Sequence, residues 1–277
     1  MRDLISTEWL ADHLSDPDIC ILDCSWHLPA TKRSARAEFD FKHIPGAQFF
    51  DLDMISDTES KLPHMMPSAE KFGHEVGKLG AGNNKRIICY DSVGLFSAAR
   101  AWWMFKAYGH VNVAVLDGGL KKWLAEERET EAELKDVGLV PNFWARLNPA
   151  MVASIDEVAQ TKSQIIDARS PTRFRGEEPE PRAGVKPGHI PSAKNVHYAS
   201  LLHGNGTLRH PNDLLSVFKK AKVNLEKPIV TSCGSGVTAA ILTLALTELG
   251  ATDLKLYDGS WAEWGASGRE IQAGVTI

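Results

Sequence analysis

The sequence repeats itself in order. Ile21-Leu22-Asp23 returns as Ile165-Ile166-Asp167, and His43-Ile44-Pro45-Gly46-Ala47 as His189-Ile190-Pro191-Ser192-Ala193. Leu116-Asp117-Gly118-Gly119 with Trp123 returns as Tyr257-Asp258-Gly259-Ser260 with Trp264. A nearly constant, domain-sized offset means a duplicated domain and excludes a solenoid of short repeats. Within each copy, short β-branched runs alternate with helical spacing. In the second copy Gln164–Ala168, Pro228–Ser232 and Leu254–Asp258 read as buried parallel strands, with a helix over Val237–Leu249 that stops at Gly250. Ser154 and Glu157 offer a capping box, and Ser216–Lys222 gives a weaker helical pattern. In the first copy a strand over Arg86–Tyr90 precedes a helix over Ser97–Tyr108. Strand–helix–strand order in both copies predicts an α/β fold of two tandem domains, each a mainly parallel sheet with helices on both faces.

The 277 residues suffice for two cores, and Glu126–Asp136, with eight charges in eleven residues, followed by Pro141 and Pro149, suits an exposed connection. The expected division is 1–138, a linker at 139–150, and 151–277. A net charge of −4 gives no electrostatic reason to expect nucleic acid or an anionic membrane as partner. No apolar run approaches the roughly 18 residues that span a bilayer, and the first residues lack signal- or transit-peptide character. Of the four cysteines, Cys20, Cys24 and Cys89 read as small buried hydrophobes, and no second Cys/His pair matches Cys20 and Cys24 to make a zinc site. The chain reads as a soluble, cytoplasmic protein of a reducing compartment, with no metal and no cofactor.

The fourth cysteine is placed differently. Cys233 ends the run Ile229-Val-Thr-Ser and is followed by Gly234-Ser235-Gly236-Val237-Thr238 before the helix. Glycines at a strand-to-helix turn let backbone N–H groups curl toward one point, and the helix N-terminus adds its positive end. That setting favours a thiolate, the nucleophilic form. The matching position in the first copy is Asp91, without the glycine spacing. One copy carries the chemistry and the other keeps the scaffold. The site belongs at the C-terminal ends of the second-copy strands.

Other uses of such a loop fit less well. Gly234-Ser-Gly236-Val-Thr-Ala239 matches a dinucleotide fingerprint in form, but only 27 residues remain after Gly250. A phosphate loop lacks its Gly-Lys-Ser/Thr, and a cysteine phosphatase lacks its arginine, since Ala239 stands there. A Cys–His hydrolase stays open, with His43, His64, His189, His197 and His203 available and no spacing to select one.

Over essentially its whole length the chain resembles the two-domain rhodanese-type sulfurtransferases. The loop Cys233-Gly-Ser-Gly-Val-Thr-Ala239 is similar to that of 3-mercaptopyruvate sulfurtransferases, whereas thiosulfate-using members carry Cys-Arg-Lys-Gly-Val-Thr. The resemblance implies tandem rhodanese-like domains, inactive over 1–138 and catalytic over 151–277. It implies that Cys233 takes a sulfane sulfur from 3-mercaptopyruvate as a persulfide, releases pyruvate, and passes the sulfur to a thiol, a thioredoxin-like protein or cyanide. Thiosulfate sulfurtransferase activity and a non-enzymatic persulfide carrier are the alternatives. The family's substrate-binding arginines map onto Arg173 and Arg182 in Arg173-Phe-Arg-Gly-Glu-Glu-Pro-Glu-Pro-Arg182. An α-keto carboxylate calls for such permanently charged forks, and the competing reading is a surface salt bridge to Glu177, Glu178 or Glu180.

Gly234, Gly236, Val237 and Thr238 are expected to line the substrate with backbone N–H groups, and Thr238 to cap the following helix. Ser235 is a candidate hydrogen-bond donor or proton relay, and equally a loop-former. His43 and His189 hold equivalent places, which favours a structural role in the turn; His43 and His64 remain weaker catalytic candidates. Phe96 stands where some family members place a substrate-facing tyrosine. Trp102-Trp103 and Trp261/Trp264 lack basic interleaving and are expected to pack at a domain interface.

Overall fold

The computed structural model describes residues 2–133 and 143–274, so residues 139–142 of the expected linker lie outside the described residues, as do 134–136 of the charged run. The chain forms two compact units. The first comprises 1–58, 66–147 and 203–208, and the second 59–65, 148–202 and 209–277. Each half of the sequence thus lends a short segment to the other unit.

In the first unit the strands are β1 (Leu4–Ile5), β2 (Ile19–Asp23), β3 (Gln48–Phe49), β4 (Arg86–Tyr90) and β5 (Val113–Leu116). The helices are α1 (Thr7–Asp12), α2 (Ala35–Phe41), α3 (Leu52–Ile55), α4 (Ala69–Lys78), α5 (Ala98–Ala107) and α6 (Gly119–Ala125). The second unit repeats the pattern with β6 (Val152–Ala153), β7 (Gln164–Asp167), β8 (Lys194–Asn195), β9 (Ile229–Ser232) and β10 (Leu254–Tyr257). Its helices are α7 (Ile155–Gln160), α8 (Pro171–Arg175), α9 (Pro211–Lys220), α10 (Ala239–Glu248) and α11 (Ser260–Trp264). The sheet orders are β1-β5-β4-β2-β3 and β6-β10-β9-β7-β8, and the pairings are parallel. Both central strands are buried residue after residue, Ile87–Tyr90 in β4 and Ile229–Ser232 in β9, so both faces are covered. One face of the first sheet packs Ile88 and Tyr90 with Leu10, Phe39 and Trp123 of α1, α2 and α6, while α5 lies against β4 and β5. In the second, Ile165, Val230 and Tyr257 pack with Val158, Phe174, Trp261 and Trp264, while α10 lies against β9 and β10. The predicted fold class holds in both units.

The two units reuse the same small devices. His43 stacks on Phe39 at 4.1 Å and hydrogen-bonds its carbonyl through Nδ1, and His189 does the same with Phe174 at 3.8 Å. Each of these histidines also forms an antiparallel bridge, with Glu131 or Gln272. Their structural role follows from this symmetry. Trp123 donates to Glu129 O and Trp264 to Glu270 O, tying each post-strand helix to the chain that leaves it. Trp261 and Trp264 therefore belong to the core of the second unit itself, which corrects the interface expectation for that pair. A large buried apolar side chain of this kind contributes roughly 1.5–3 kcal/mol. In the first unit Trp102 donates to Asp3, and the Arg100 guanidinium lies 4.7 Å from the Trp103 ring.

Helix limits shift by a residue or two from the sequence reading, except at α9. That helix starts at Pro211, five residues before the apolar pattern suggests, because proline's fixed φ suits the first helical turn. The Ser154/Glu157 capping box forms as expected, and Gly250 follows α10 at φ +84°.

Candidate active site

Cys233 follows β9 directly and is 2% exposed. Its backbone is clamped from α11: Cys233 N–H donates to Ser260 Oγ at 3.2 Å, Cys233 O accepts from Trp261 N at 2.9 Å, and Gly234 O from Ala262 N at 2.9 Å. Ser260 sits at φ +49°, where its counterpart in the first unit is Gly119 at φ +52°. A left-handed serine is strained. Its hydroxyl makes two bonds that glycine would forgo, to Cys233 N and to Tyr257 O.

Of the loop glycines only Gly236 (φ +77°) needs the left-handed region. Gly234 does not, which corrects the view that both are there to curl the chain. A Cβ at Gly234 would stand 3.2 Å from Nη2 of Arg173, so its absence admits the guanidinium. Among the described residues, the backbone N–H groups of Gly234, Ser235, Gly236, Val237 and Thr238 meet no backbone acceptor. Thr238 stands at the N-cap of α10 but is already helical and makes no side-chain capping bond, contrary to expectation.

The first unit shows what such a loop holds. Asp91, at the position of Cys233, directs its own carboxylate into the loop. It accepts from Val93 N (3.0 Å), Gly94 N (3.0 Å), Phe96 N (2.7 Å) and Ala98 N (2.9 Å). The converging amides form an anion nest. In the second unit the residue at the mouth of the nest is a thiol, and the corresponding amides of Ser235, Gly236 and Thr238 meet no backbone acceptor among the described residues. Phe96, the tyrosine-equivalent position, lends its N–H to this internal carboxylate and stacks with Trp26 at 6.5 Å.

His64 belongs to the segment 59–65 that joins the second unit. It is buried at φ +58°, and its Nδ1 lies 3.0 Å from Ser235 Oγ. Sequence spacing does not select His64 from the other histidines, because the segment reaches the loop only through the exchange of short segments between units.

Arg173, in the middle of the short helix α8, joins a cluster of four charges. Its Nε lies 3.3 Å from Glu180 Oε1, and Nη2 donates to Glu180 Oε2. Glu180 also accepts from Arg169 Nη1 at 2.8 Å, and Arg169 forks onto Asp167 (Nη2–Oδ2 2.7 Å) and reaches Gly188 O (2.8 Å). Arg169 stacks over Trp261 at 4.4 Å, the residue whose N–H holds Cys233 O. Burial pulls the Arg169 guanidinium toward neutrality, but Asp167 and Glu180 outweigh it and raise its pKa overall. The first unit has Ser25 in place of Arg169. There Asp23, lacking a guanidinium, is lifted to about 6, chiefly by burial. The glutamate pairing expected as the competing reading for Arg173 thus exists, with Glu180, but inside the protein and beside the Cys233 loop; the exposed pair is Arg175–Glu177. Arg182 is half-buried, two residues beyond Glu180, and its carbonyl accepts from Val185 N at 3.5 Å. Val237 is buried in the loop.

The remaining cysteines are buried. Burial pushes the Cys20 thiol up to about 12 and Cys24 well above its ordinary range, and Cys89 is fully buried in β4. Among the described residues no group of three or more His, Cys, Asp or Glu side chains is placed to hold a metal ion, and no helix is long and apolar enough to cross a membrane.

The model of the rhodanese-like domain matches residues 6–126 and again 153–267. The chain is 42% identical to human 3-mercaptopyruvate sulfurtransferase, covering 95% of this chain and 92% of that one. It is 38% identical to rat thiosulfate sulfurtransferase, covering 95% and 92%. The crystal structure of SseA from Escherichia coli, described with the rhodanese fold and catalytic mechanism of 3-mercaptopyruvate sulfotransferases, superposes with a TM-score of 0.84. It is 39% identical, over 94% of this chain and 99% of that one.

Proposed function

This chain belongs to the rhodanese family, and we propose that it is a sulfurtransferase whose donor is 3-mercaptopyruvate and whose sulfur carrier is Cys233. The observation that carries the reading is the open amide nest around Cys233, beside an arginine fork and with neutral Gly234 and Ser235 next to the nucleophile. The Cys233 thiolate attacks the thiol sulfur of the donor, and the sulfur–carbon bond breaks. Its electron pair moves to the methylene carbon, giving the enolate of pyruvate, which takes up the proton given up by the donor's thiol and leaves as pyruvate. The persulfide remains on Cys233, and its terminal sulfur, as an anion, lies among N–H donors.

Arg173 and Arg182 supply the carboxylate clamp. Ser235, hydrogen-bonded to His64, faces the carbonyl end and relays the proton to the enolate. Gly234, Gly236, Val237 and Thr238 contribute backbone amides. Catalysis belongs to 151–277 together with the segment bearing His64, and the copy in 1–138 keeps the scaffold with Asp91 filling its own nest. The acceptor is a small thiol, a thioredoxin-like dithiol or cyanide, and the protein acts in the cytoplasm.

Steady-state kinetics with both donors side by side test the assignment. The kcat/KM for 3-mercaptopyruvate is expected to exceed that for thiosulfate, since no cationic side chain at 234 or 235 meets a compact dianion. A preference for thiosulfate would refute the donor assignment while leaving the family intact. Arg182→Ala is expected to raise KM for 3-mercaptopyruvate roughly ten- to a hundred-fold, the value of a charged hydrogen bond, and to change KM for thiosulfate far less. Equal kinetics in the variant would return Arg182 to the surface salt-bridge reading.

A further inference from the structure

We infer that Glu180 is a positioning residue that sets donor specificity: it aims Arg173 at the Cys233 loop and cancels the charge that would otherwise attract a compact dianion. The inference rests on the sulfur-transfer reading above and concerns how that same site chooses its donor.

The first observation is an insertion. Phe39 and His43, a stacked pair four residues apart in the first unit, correspond to Phe174 and His189, the same stacked pair fifteen residues apart in the second. The additional chain between these fixed anchors carries Glu180 and Arg182. Only the unit with the cysteine has it.

The second observation is geometric. Glu180 is nearly fully buried, with side-chain exposure of 3%, against 23% for Arg173. It takes the Nε/Nη2 edge of Arg173, which leaves the Nη1/Nη2 end of the fork toward Gly234, at 3.6 and 3.2 Å from where a Cβ would stand. Oε1, which faces Arg173 Nε, also accepts from Arg169 Nη1 and so ties Glu180 to a guanidinium locked by Asp167, Gly188 O and the Trp261 ring. An arginine has many rotamers of similar energy, and this buried anchor selects one.

The third is charge. Arg169 and Arg173 face Asp167 and Glu180, so the cluster is balanced as it stands. A monocarboxylate can use the free end of the fork as a directional hydrogen-bond partner. A dianion gains little from a balanced cluster. Removing the Glu180 charge would leave one uncompensated positive charge beside the nucleophile and loosen the aim of Arg173, and these two effects act on the two donors in opposite directions.

Kinetics of Glu180→Gln and Glu180→Asp, with each donor, separate this from a structural role. For Glu180→Gln, kcat/KM is expected to fall for 3-mercaptopyruvate, mainly through KM, and to rise for thiosulfate. Together these move the donor ratio by roughly ten- to a hundred-fold. The thiosulfate gain should shrink as salt is raised, because it is electrostatic. Glu180→Asp keeps the charge but withdraws it by one methylene, so it should lose on 3-mercaptopyruvate without gaining on thiosulfate. It decides the matter if the glutamine variant does not fold. Losses of equal size with both donors, or an unchanged donor ratio in the variants, would overturn the inference. The native ratio tests the donor reading and the change in ratio tests Glu180, so either can fail alone.

Discussion

Replacing Cys233 with serine is expected to abolish sulfur transfer from every donor, a loss of at least about a thousand-fold, while the fold survives. A hydroxyl cannot carry a sulfane sulfur. The substitution is nearly isosteric, and the backbone bonds that hold residue 233 to Ser260 and Trp261 do not involve its side chain. Stability should therefore change by less than about 1 kcal/mol. Residual turnover above about one part in a hundred, at unchanged fold, would mean that a second nucleophile operates. Cys20, Cys24 and Cys89 are poor substitutes, since all are buried and burial holds Cys20 and Cys24 as neutral thiols.

The largest effect on stability is expected at Arg169. Arg169→Ala leaves Asp167 and Glu180 inside the second unit without a shared cation, and removes the guanidinium stacked on Trp261. Breaking a buried ion cluster from one side costs roughly 3–5 kcal/mol, more than an average core substitution. Urea denaturation should show that loss in the second unit's transition. Arg269→Ala, which breaks the exposed pair with Asp156, should cost no more than about 1 kcal/mol. An Arg169→Ala loss as small as that of Arg269→Ala would mean that the cluster does not hold the site together.

Much of this was legible in the sequence because it is local. The duplication, the parallel strands and the strand–Cys233–helix turn follow from periodicity and from residues adjacent in the chain. The four central strand and helix positions around Cys233 and Asp91 differ from the reading by only a residue or two. The two-residue strands β1, β3, β6 and β8 carry too few residues for any period to register. Three features of the candidate site were illegible for a different reason. The approach of His64 to Ser235 joins positions far apart in sequence and depends on which unit the segment 59–65 packs with. Glu180 reads as one of several surface acids in Glu177-Glu-Pro-Glu180, and only its burial between two arginines sets it apart. Ser260 looks like any serine after a glycine, until its left-handed backbone and its bond to Cys233 N–H are seen. The role of Gly234 is hidden in the sequence because a glycine serves equally for backbone freedom and for clearance, and only the nearby Arg173 guanidinium tells the two apart.

The central claim is that Cys233 becomes a persulfide at the expense of 3-mercaptopyruvate. Mass spectrometry of the protein treated with that donor in the absence of acceptor tests it directly. One added sulfur on the peptide containing Cys233, matched by one pyruvate released per chain, is the expected result. Pyruvate release with Cys233 unmodified, or added sulfur on Cys20, Cys24 or Cys89 instead, would contradict it.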